Sequence, residues 1–115
     1  MIEYNDKNYV CHLDLGMGII RGKWKAVIMC HLNKGPKRFL QLHRITAGIS
    51  QKVLMNQLQE LENEDLIIKE VVCEKPLHVE YRLSEKGVDL YPAIEILEVW
   101  AKKHYHHIKH VEEIK

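Results

Sequence analysis

Residues 38–63 read RFLQLHRITAGISQKVLMNQLQELEN, and they carry the most specific structural pattern of the chain. Its first part, residues 38–46, has apolar side chains at helical spacing, and a tight glycine-containing turn follows. Ser50 then supplies a good N-cap for a second helix. Apolar side chains recur on one face of that helix at Leu54, Leu58 and Leu61. The pattern predicts two helices joined by a short turn, a helix-turn-helix.

The segments on either side add a helix before this pair and a hairpin after it. Residues 23–32 have apolar side chains at helical spacing, and residues 13–20 predict a shorter helix weakened by two glycines. Residues 66–73 are rich in β-branched side chains, and residues 79–83 alternate between apolar and polar. These two runs, separated by a turn of five residues, predict a β-hairpin.

The C-terminal part predicts a long helix that is capped by Ser84. Its apolar band, which extends through Trp100, is wider than a domain of this size needs for its own core, and Pro92 should kink or divide the helix. We therefore predict a mainly α fold with a small β-hairpin, a winged helix-turn-helix, whose long C-terminal helix serves dimerisation. The predicted organisation is a loosely held N-terminal arm (residues 1–12), a winged helix-turn-helix domain with its dimerisation helices (residues 13–103), and a His-rich C-terminal tail (residues 104–115).

The composition is that of an ordinary globular protein. The chain has 115 residues, which indicates one domain, and it has neither an apolar run long enough to span a membrane nor a signal-peptide pattern. Its three cysteines, odd in number and widely spaced, fit reduced thiols better than disulfides. We expect a cytoplasmic protein, with Cys30 and Cys73 as packing residues.

Charge is strongly segregated along the chain. The formal net charge is only +1, yet the segment from Leu15 to Gln59 carries eight Lys and Arg residues and no Asp or Glu. A domain that gathers its cations on one side produces a positive field, and nucleic acid is the commonest large polyanion that such a field meets. The alternative is a solvated basic face with no partner.

The helix after Ser50 has a polar face that suits DNA bases. Amide side chains can pair with adenine edges, Lys can reach guanine acceptors, and a Met side chain can contact a thymine methyl group. The candidate base-reading residues are Ser50, Gln51, Lys52, Met55, Asn56 and Gln59. Candidates for the DNA backbone flank the preceding helix or lie at the tip of the hairpin: Lys37, Arg38, Arg44, Lys75 and His78. For each residue alone, the alternative is an exposed polar side chain without a partner.

Several motifs in order resemble a known family. They are GKWK (22–25), GPKRF (35–39), GISQKVL (48–54), QL (57–58) with ELE (60–62), and VEYRLS (79–84). Together they resemble the HxlR-type winged helix-turn-helix regulators, over residues 11–100. The resemblance implies a transcription factor that pairs through its first and last helices and binds double-stranded DNA at a palindromic operator. Two recognition helices about 34 Å apart would then read successive major grooves.

The same resemblance points to Cys11 as a sensor of oxidants or electrophiles. Cys11 stands thirteen positions before Trp24, as the family's cysteine does, and in several members that cysteine is reactive. A thiol near the start of a helix ionises more readily, and His12 could assist, although the family usually has Pro at that position. The alternative role for Cys11 is a small residue at a dimer seam.

Other signals are weaker. The GMGIIRG segment (16–22) faintly resembles a dinucleotide fingerprint, but no strand precedes it. The C-terminal histidines lack a carboxylate or cysteine at metal-binding spacing: His104, His106, His107 and His110. We predict no cofactor, no metal site and, because no nucleophile and base are arranged together, no enzyme. The competing hypothesis is a winged-helix protein-interaction module without sequence-specific DNA binding.

Overall fold

The computed structural model describes residues 1–109, which form five helices and two separate antiparallel hairpins. The elements are β1 (Ile2–Tyr4), β2 (Lys7–Tyr9), α1 (His12–Ile19), α2 (Lys25–Leu32), α3 (Phe39–Ile45), α4 (Gln51–Asn63), β3 (Ile67–Glu74), β4 (Leu77–Leu83) and α5 (Glu85–Tyr105). The predicted winged helix-turn-helix with a long C-terminal helix is confirmed. None of these helices combines the length and the apolar character that crossing a bilayer requires.

The helix-turn-helix consists of α3 and α4. Gly48, with φ +86°, occupies the left-handed region in the turn between them, where glycine is favoured. The Ser50 hydroxyl accepts a hydrogen bond of 3.1 Å from the Val53 amide and so caps α4, as predicted. The stripe of Leu54, Leu58 and Leu61 is buried, which leaves the opposite face of α4 to solvent.

A single apolar core holds the helices and the second hairpin together. Helices α2 to α5 and the second hairpin contribute its buried side chains: Ile28, Met29 and Leu32 from α2, Leu42 from α3, the three leucines of α4, Ile67 from β3, Tyr81 and Leu83 from β4, and Tyr91 and Ile94 from α5. Because α2 packs against α3, α4 and α5, it forms the centre of the domain.

The second hairpin, β3 and β4, is the wing. Ile67 pairs with Leu83 at its base, and a bulge near Val71 shifts the register of β3. Its strands continue to Glu74 and Leu77, so the turn contains two residues instead of the predicted five. The wing is tied to the residues before α3, because Lys37 and Tyr81 exchange two backbone hydrogen bonds of 2.9 and 2.8 Å.

The first turn of α5 is held against the end of α4. The Ser84 hydroxyl caps α5 by accepting a 3.0 Å hydrogen bond from the Gly87 amide, as predicted, and donates to the carbonyl of Asp65. The Ser84 amide donates to the carbonyl of Leu66 at 3.0 Å. This junction fixes the wing and α5 relative to α4.

The N-terminal residues form a hairpin, which differs from the loosely held arm that we expected. Its turn is made by Asn5 and Asp6, whose φ angles of 51° and 61° are left-handed. The Tyr9 ring lies directly against Gly18 of α1. A Cβ atom at position 18 would lie only 2.9 Å from this ring. The Tyr4 hydroxyl donates a 2.9 Å hydrogen bond to the carboxylate of Glu64, just beyond α4. These two tyrosines anchor the segment.

Helix α5 continues through Pro92, so of the two predicted outcomes the division is wrong, and the kink stays a prediction. Tyr91 and Ile94 on either side of the proline are buried in the core, and their packing holds the helix together. Pro92 itself is exposed, as is Val88 one turn before it, so water can solvate the carbonyl that the proline leaves free. At the C-terminus, His104 lies within α5, whereas His110 lies outside the described residues.

Candidate nucleic-acid interface

Helix α4 presents a continuous polar face opposite its buried leucines. Four of the predicted base-reading residues lie on this face, Ser50 is the cap and Gln51 is the first helical residue. All six are exposed: Ser50, Gln51, Lys52, Met55, Asn56 and Gln59. The first carboxylate on the helix is Glu60. The face therefore offers amide, ammonium and thioether groups in its first nine residues and no negative charge there.

Two of these side chains already have hydrogen-bonding roles within the chain. The Ser50 hydroxyl caps the helix, and the Gln59 amide nitrogen donates a 2.9 Å hydrogen bond to the Asn63 side-chain oxygen. Within residues 1–109, no side-chain hydrogen bond or ion pair engages Lys52 or Asn56. Lys52 and Asn56 are thus the most available donors on this face.

The cations beside α3 differ in their exposure to solvent and in their hydrogen bonding. Arg38 and Arg44 are exposed, whereas Lys37 is half-buried and its ammonium donates a 3.1 Å hydrogen bond to the carbonyl of Gly35. Burial is the largest cause that lowers the pKa of His31, and the charges of Lys34 and Lys37 lower it further. The contribution of the two lysines indicates a positive local field. This side of the domain is suited to anions.

The wing is less basic than the sequence suggested. Lys75 is exposed in the hairpin turn, but the His78 ring nitrogen lies 2.8 Å from the Glu80 carboxylate. Arg82 makes a looser pair of 3.5 Å with Glu70. The pairing of His78 with Glu80 was not predicted, although residues two apart on a strand share a face and spacing alone places these two side chains together.

Two cations of the segment from Leu15 to Gln59, which has no Asp or Glu, have structural roles. The Lys25 side chain is only 11% exposed, and its ammonium lies 3.2 Å from the Glu60 carboxylate, which joins α2 to α4. The Lys23 ammonium lies 4.7 Å from the centre of the Trp24 ring. Both residues belong to the GKWK motif, so part of the basic segment stabilises the fold.

The three cysteines lie in different environments. Cys11 is exposed and forms the N-cap of α1 with extended backbone. Cys30 is half-buried, and the Tyr91 hydroxyl donates to its sulfur at 3.5 Å; this bond, followed by burial, raises the pKa of Tyr91 to about 12. Cys73 lies in the first strand of the wing but is exposed, which differs from the packing role that we expected. The reason is that only the base of β3 is buried.

Helices α1 and α5 carry a large exposed apolar surface. Leu13 of α1 is 75% exposed and Trp100 of α5 is 50% exposed. Other apolar side chains exposed on these two helices are Met17, Val88, Ile96, Leu97, Val99 and Tyr105. Apolar surface of this extent on two helices is typical of a protein–protein interface.

A family model described as HxlR-like helix-turn-helix matches residues 19–109. The chain belongs to this family. An HTH-type transcriptional regulator of Methanothermobacter thermautotrophicus, itself uncharacterised, is 37% identical to this HxlR-like chain over 105 residues, which cover 91% of the chain and 80% of that relative. The Bacillus subtilis HTH-type regulator YtcD is 39% identical over 102 residues, which cover 89% of the chain and 81% of YtcD.

A solved structure extends the likeness to three dimensions. The redox regulator HypR in its reduced form superposes with a TM-score of 0.78 at 34% identity, covering 83% of this HxlR-like chain and 94% of HypR. The fold is that of a winged-helix regulator, and the family and these relatives are regulators of transcription with a DNA-binding helix-turn-helix.

Proposed function

We propose that this HxlR-like protein is a homodimeric transcriptional regulator that binds a palindromic operator in duplex DNA. The observation that carries the proposal is the exposed face of α4, which is rich in amides, free of carboxylates before Glu60 and opposite a buried leucine stripe. Such a helix fits the major groove, because its polar groups can meet base edges without repelling phosphates. The protein would act in the cytoplasm, where bacterial-type regulators meet DNA.

Base reading is assigned to the centre of this face. Asn56 can pair bidentately with adenine, Lys52 can reach the acceptors of guanine, and Met55 can contact a thymine methyl group. Gln59 can join them by exchanging its hydrogen bond to Asn63 for one to a base. Ser50 and Gln51 lie at the N-terminus of α4, where free backbone amides favour a phosphate or a nearby base.

Backbone contacts are assigned to the cations around α3 and the wing tip. Arg38 and Arg44 are exposed and can reach phosphates directly, and Lys75 can do so from the wing. Lys37 would act over a longer range, because its ammonium is partly engaged by Gly35. His78 can contribute only if a phosphate replaces Glu80 as its partner.

Dimerisation is assigned to the apolar surfaces of α1 and α5. Pairing of these helices would cover Leu13 and Trp100 and would place two copies of α4 on one side of the dimer, about 34 Å apart. A mass near twice 13.6 kDa is expected in solution. A two-fold dimer explains why the operator should be palindromic.

The base-reading assignment is tested by Asn56→Ala. Affinity for the operator and for random DNA is measured by fluorescence anisotropy, and the variant should lose about 1–3 kcal/mol of discrimination per recognition helix. Asn8→Ala is the matched control, because Asn8 is an exposed asparagine on the N-terminal hairpin. An equal loss on both DNAs would refute the assignment.

Salt dependence separates this proposal from the competing protein-interaction module. Each phosphate contact contributes about 0.9 to the slope of log affinity against log salt concentration, so DNA binding should weaken steeply as salt rises. Absence of binding to promoter DNA at low salt would favour the protein-interaction module.

We further propose that Cys11 responds to oxidants or electrophiles. Its support is an exposed thiol at a helix N-terminus, together with the similarity to HypR, a redox regulator solved in reduced and oxidized forms. The test is titration of operator binding with a mild oxidant or a quinone. Cys11→Ser should keep binding DNA under oxidant, whereas Cys73→Ser, which removes the other exposed thiol, should lose binding as the wild type does. Equal loss in the wild type and Cys11→Ser would exclude Cys11 as the switch.

A further inference from the structure

A cleft of about 610 Å³ lies between α3 and the outer half of β4. Its polar walls come from α3 and its cap and consist of Arg38, Gln41 and Arg44. No carboxylate lines the cleft, and within residues 1–109 neither arginine forms an ion pair. Two arginines therefore line an open cleft, and no carboxylate of the described residues pairs with either of them.

The remaining lining is apolar. It consists of Phe39, Leu40, Leu77 and Val79. Leu40 is 63% exposed and Leu77 is 64% exposed, so two large aliphatic side chains face water at the cleft. Binding of a phosphate gains nothing from these apolar side chains, whereas an organic molecule with an apolar body would cover them.

The walls of the cleft are fixed relative to each other. The two backbone hydrogen bonds between Lys37 and Tyr81 join the start of α3 to β4 just below the cleft. The side-chain oxygen of Gln41 accepts a 2.8 Å hydrogen bond from the Arg38 amide, which fixes the first turn of α3. A ligand would thus meet a largely preformed site.

The charged side chains of the wing do not add negative charge to the cleft. Side chains alternate along β4, so Leu77 and Val79 face the cleft while His78 and Glu80 share the opposite face and pair with each other. The only ionised side chains that line the described cleft are the two arginines.

We propose that this cleft binds a small organic acid: a carboxylate on an aromatic or aliphatic body. The carboxylate would be held by Arg44 and Arg38, and the body would cover Leu77 and its apolar neighbours. Because the same arginines are assigned to DNA phosphates, the bound acid would compete with operator DNA. This last consequence rests on the proposed function, whereas binding of the acid itself does not.

The test is a titration of the DNA-free protein with phenylbutyrate, followed by amide chemical shifts in NMR spectra. We expect shifts centred on α3 and β4 and a Kd of about 1 mM or tighter. Neutral phenylbutyramide, which keeps the apolar body, and inorganic phosphate, which keeps only the charge, should each bind at least about tenfold more weakly. No shift in the cleft, or equal binding of all three compounds, would overturn the proposal.

Two variants separate the organic-acid site from a site for DNA alone. Arg44→Gln should weaken phenylbutyrate at least about tenfold, whereas Arg21→Gln, at an exposed arginine outside the cleft, should not. Leu77→Asn should also weaken phenylbutyrate several-fold, while leaving operator affinity nearly unchanged. Because Leu77 is largely exposed, this variant should fold normally. Unchanged phenylbutyrate affinity in Leu77→Asn would refute the role of the apolar side chains that line the cleft.

A competition experiment then connects the site to DNA. Phenylbutyrate should reduce operator affinity of the wild type, and phenylbutyramide should not. If the acid binds in the cleft without affecting operator affinity, the ligand site stands and the assignment of Arg44 to phosphates is refuted. If the acid fails to bind while the operator still binds, the ligand site is refuted and the proposed function stands.

Discussion

Replacing Gly87 with alanine should severely destabilise the protein. A Cβ atom at this position would lie 2.2 Å from the carbonyl oxygen of Leu66 and 3.2 Å from its carbonyl carbon. Real Cβ atoms do not approach within 3.0 Å, so the backbone must separate by about 1 Å at the junction of α4, the wing and α5. That displacement also disturbs the hydrogen bonds of Ser84 to Gly87 and Asp65.

The expected cost is about 3 kcal/mol, because overpacking against backbone exceeds the gain of about 1 kcal/mol from placing alanine in a helix. Chemical denaturation at fixed protein concentration measures it. Gly18→Ala is the matched control: its Cβ would meet the Tyr9 ring at 2.9 Å, but a side chain can rotate away. That variant should stay within about 1 kcal/mol of the wild type. A Gly87→Ala protein as stable as Gly18→Ala would show that the close approach of Gly87 to Leu66 does not limit stability.

Four further predictions concern stability, pH, assembly and salt. Thr46 has a buried hydroxyl with no hydrogen-bond partner among residues 1–109, so Thr46→Val should raise the free energy of unfolding by about 1 kcal/mol, and a decrease would contradict this. The pKa of His31 is lowered in the fold, so its contribution to stability is complete above the ordinary value of 6.5 and is lost as pH falls below it. Denaturation at several pH values should show that His31→Gln removes this part of the dependence; an unchanged profile would contradict it. Trp100→Ser should shift sedimentation from dimer towards monomer without loss of helical circular dichroism, and an unchanged dimer would exclude Trp100 from the interface. Arg44→Gln should reduce the salt slope of operator binding by about 2 in a dimer with two such contacts, and an unchanged slope would exclude the contact.

The periodic elements could be predicted from the sequence because their patterns are local. Ser50 and Ser84 cap their helices, and the leucine stripe of α4 is buried, because both features depend only on spacing along the helix. The N-terminal hairpin was missed because its strands have three residues each. Only the residues of its turn, Asn5 and Asp6, indicate a hairpin in the sequence, because such residues favour the left-handed conformations of short hairpin turns.

The candidate interface was predicted as a face but not as a set of contacts. Helical geometry alone places Lys52 and Asn56 opposite the leucines. The link from Tyr4 to Glu64 joins residues sixty positions apart, and the pair of Lys25 and Glu60 spans thirty-five, so both depend on tertiary packing that spacing cannot supply. The charge count therefore included cations that the fold uses internally.

We propose above that a dimer of this HxlR-like chain reads duplex DNA through α4. The decisive experiment is selection of bound fragments from a random-sequence DNA library. The expected result is enrichment of an inverted repeat whose half-site centres lie about 34 Å apart or at a multiple of that spacing. Recovery of no enriched sequence would argue against base reading by α4, and recovery of single half-sites without an inverted partner would argue against a two-fold dimer on DNA.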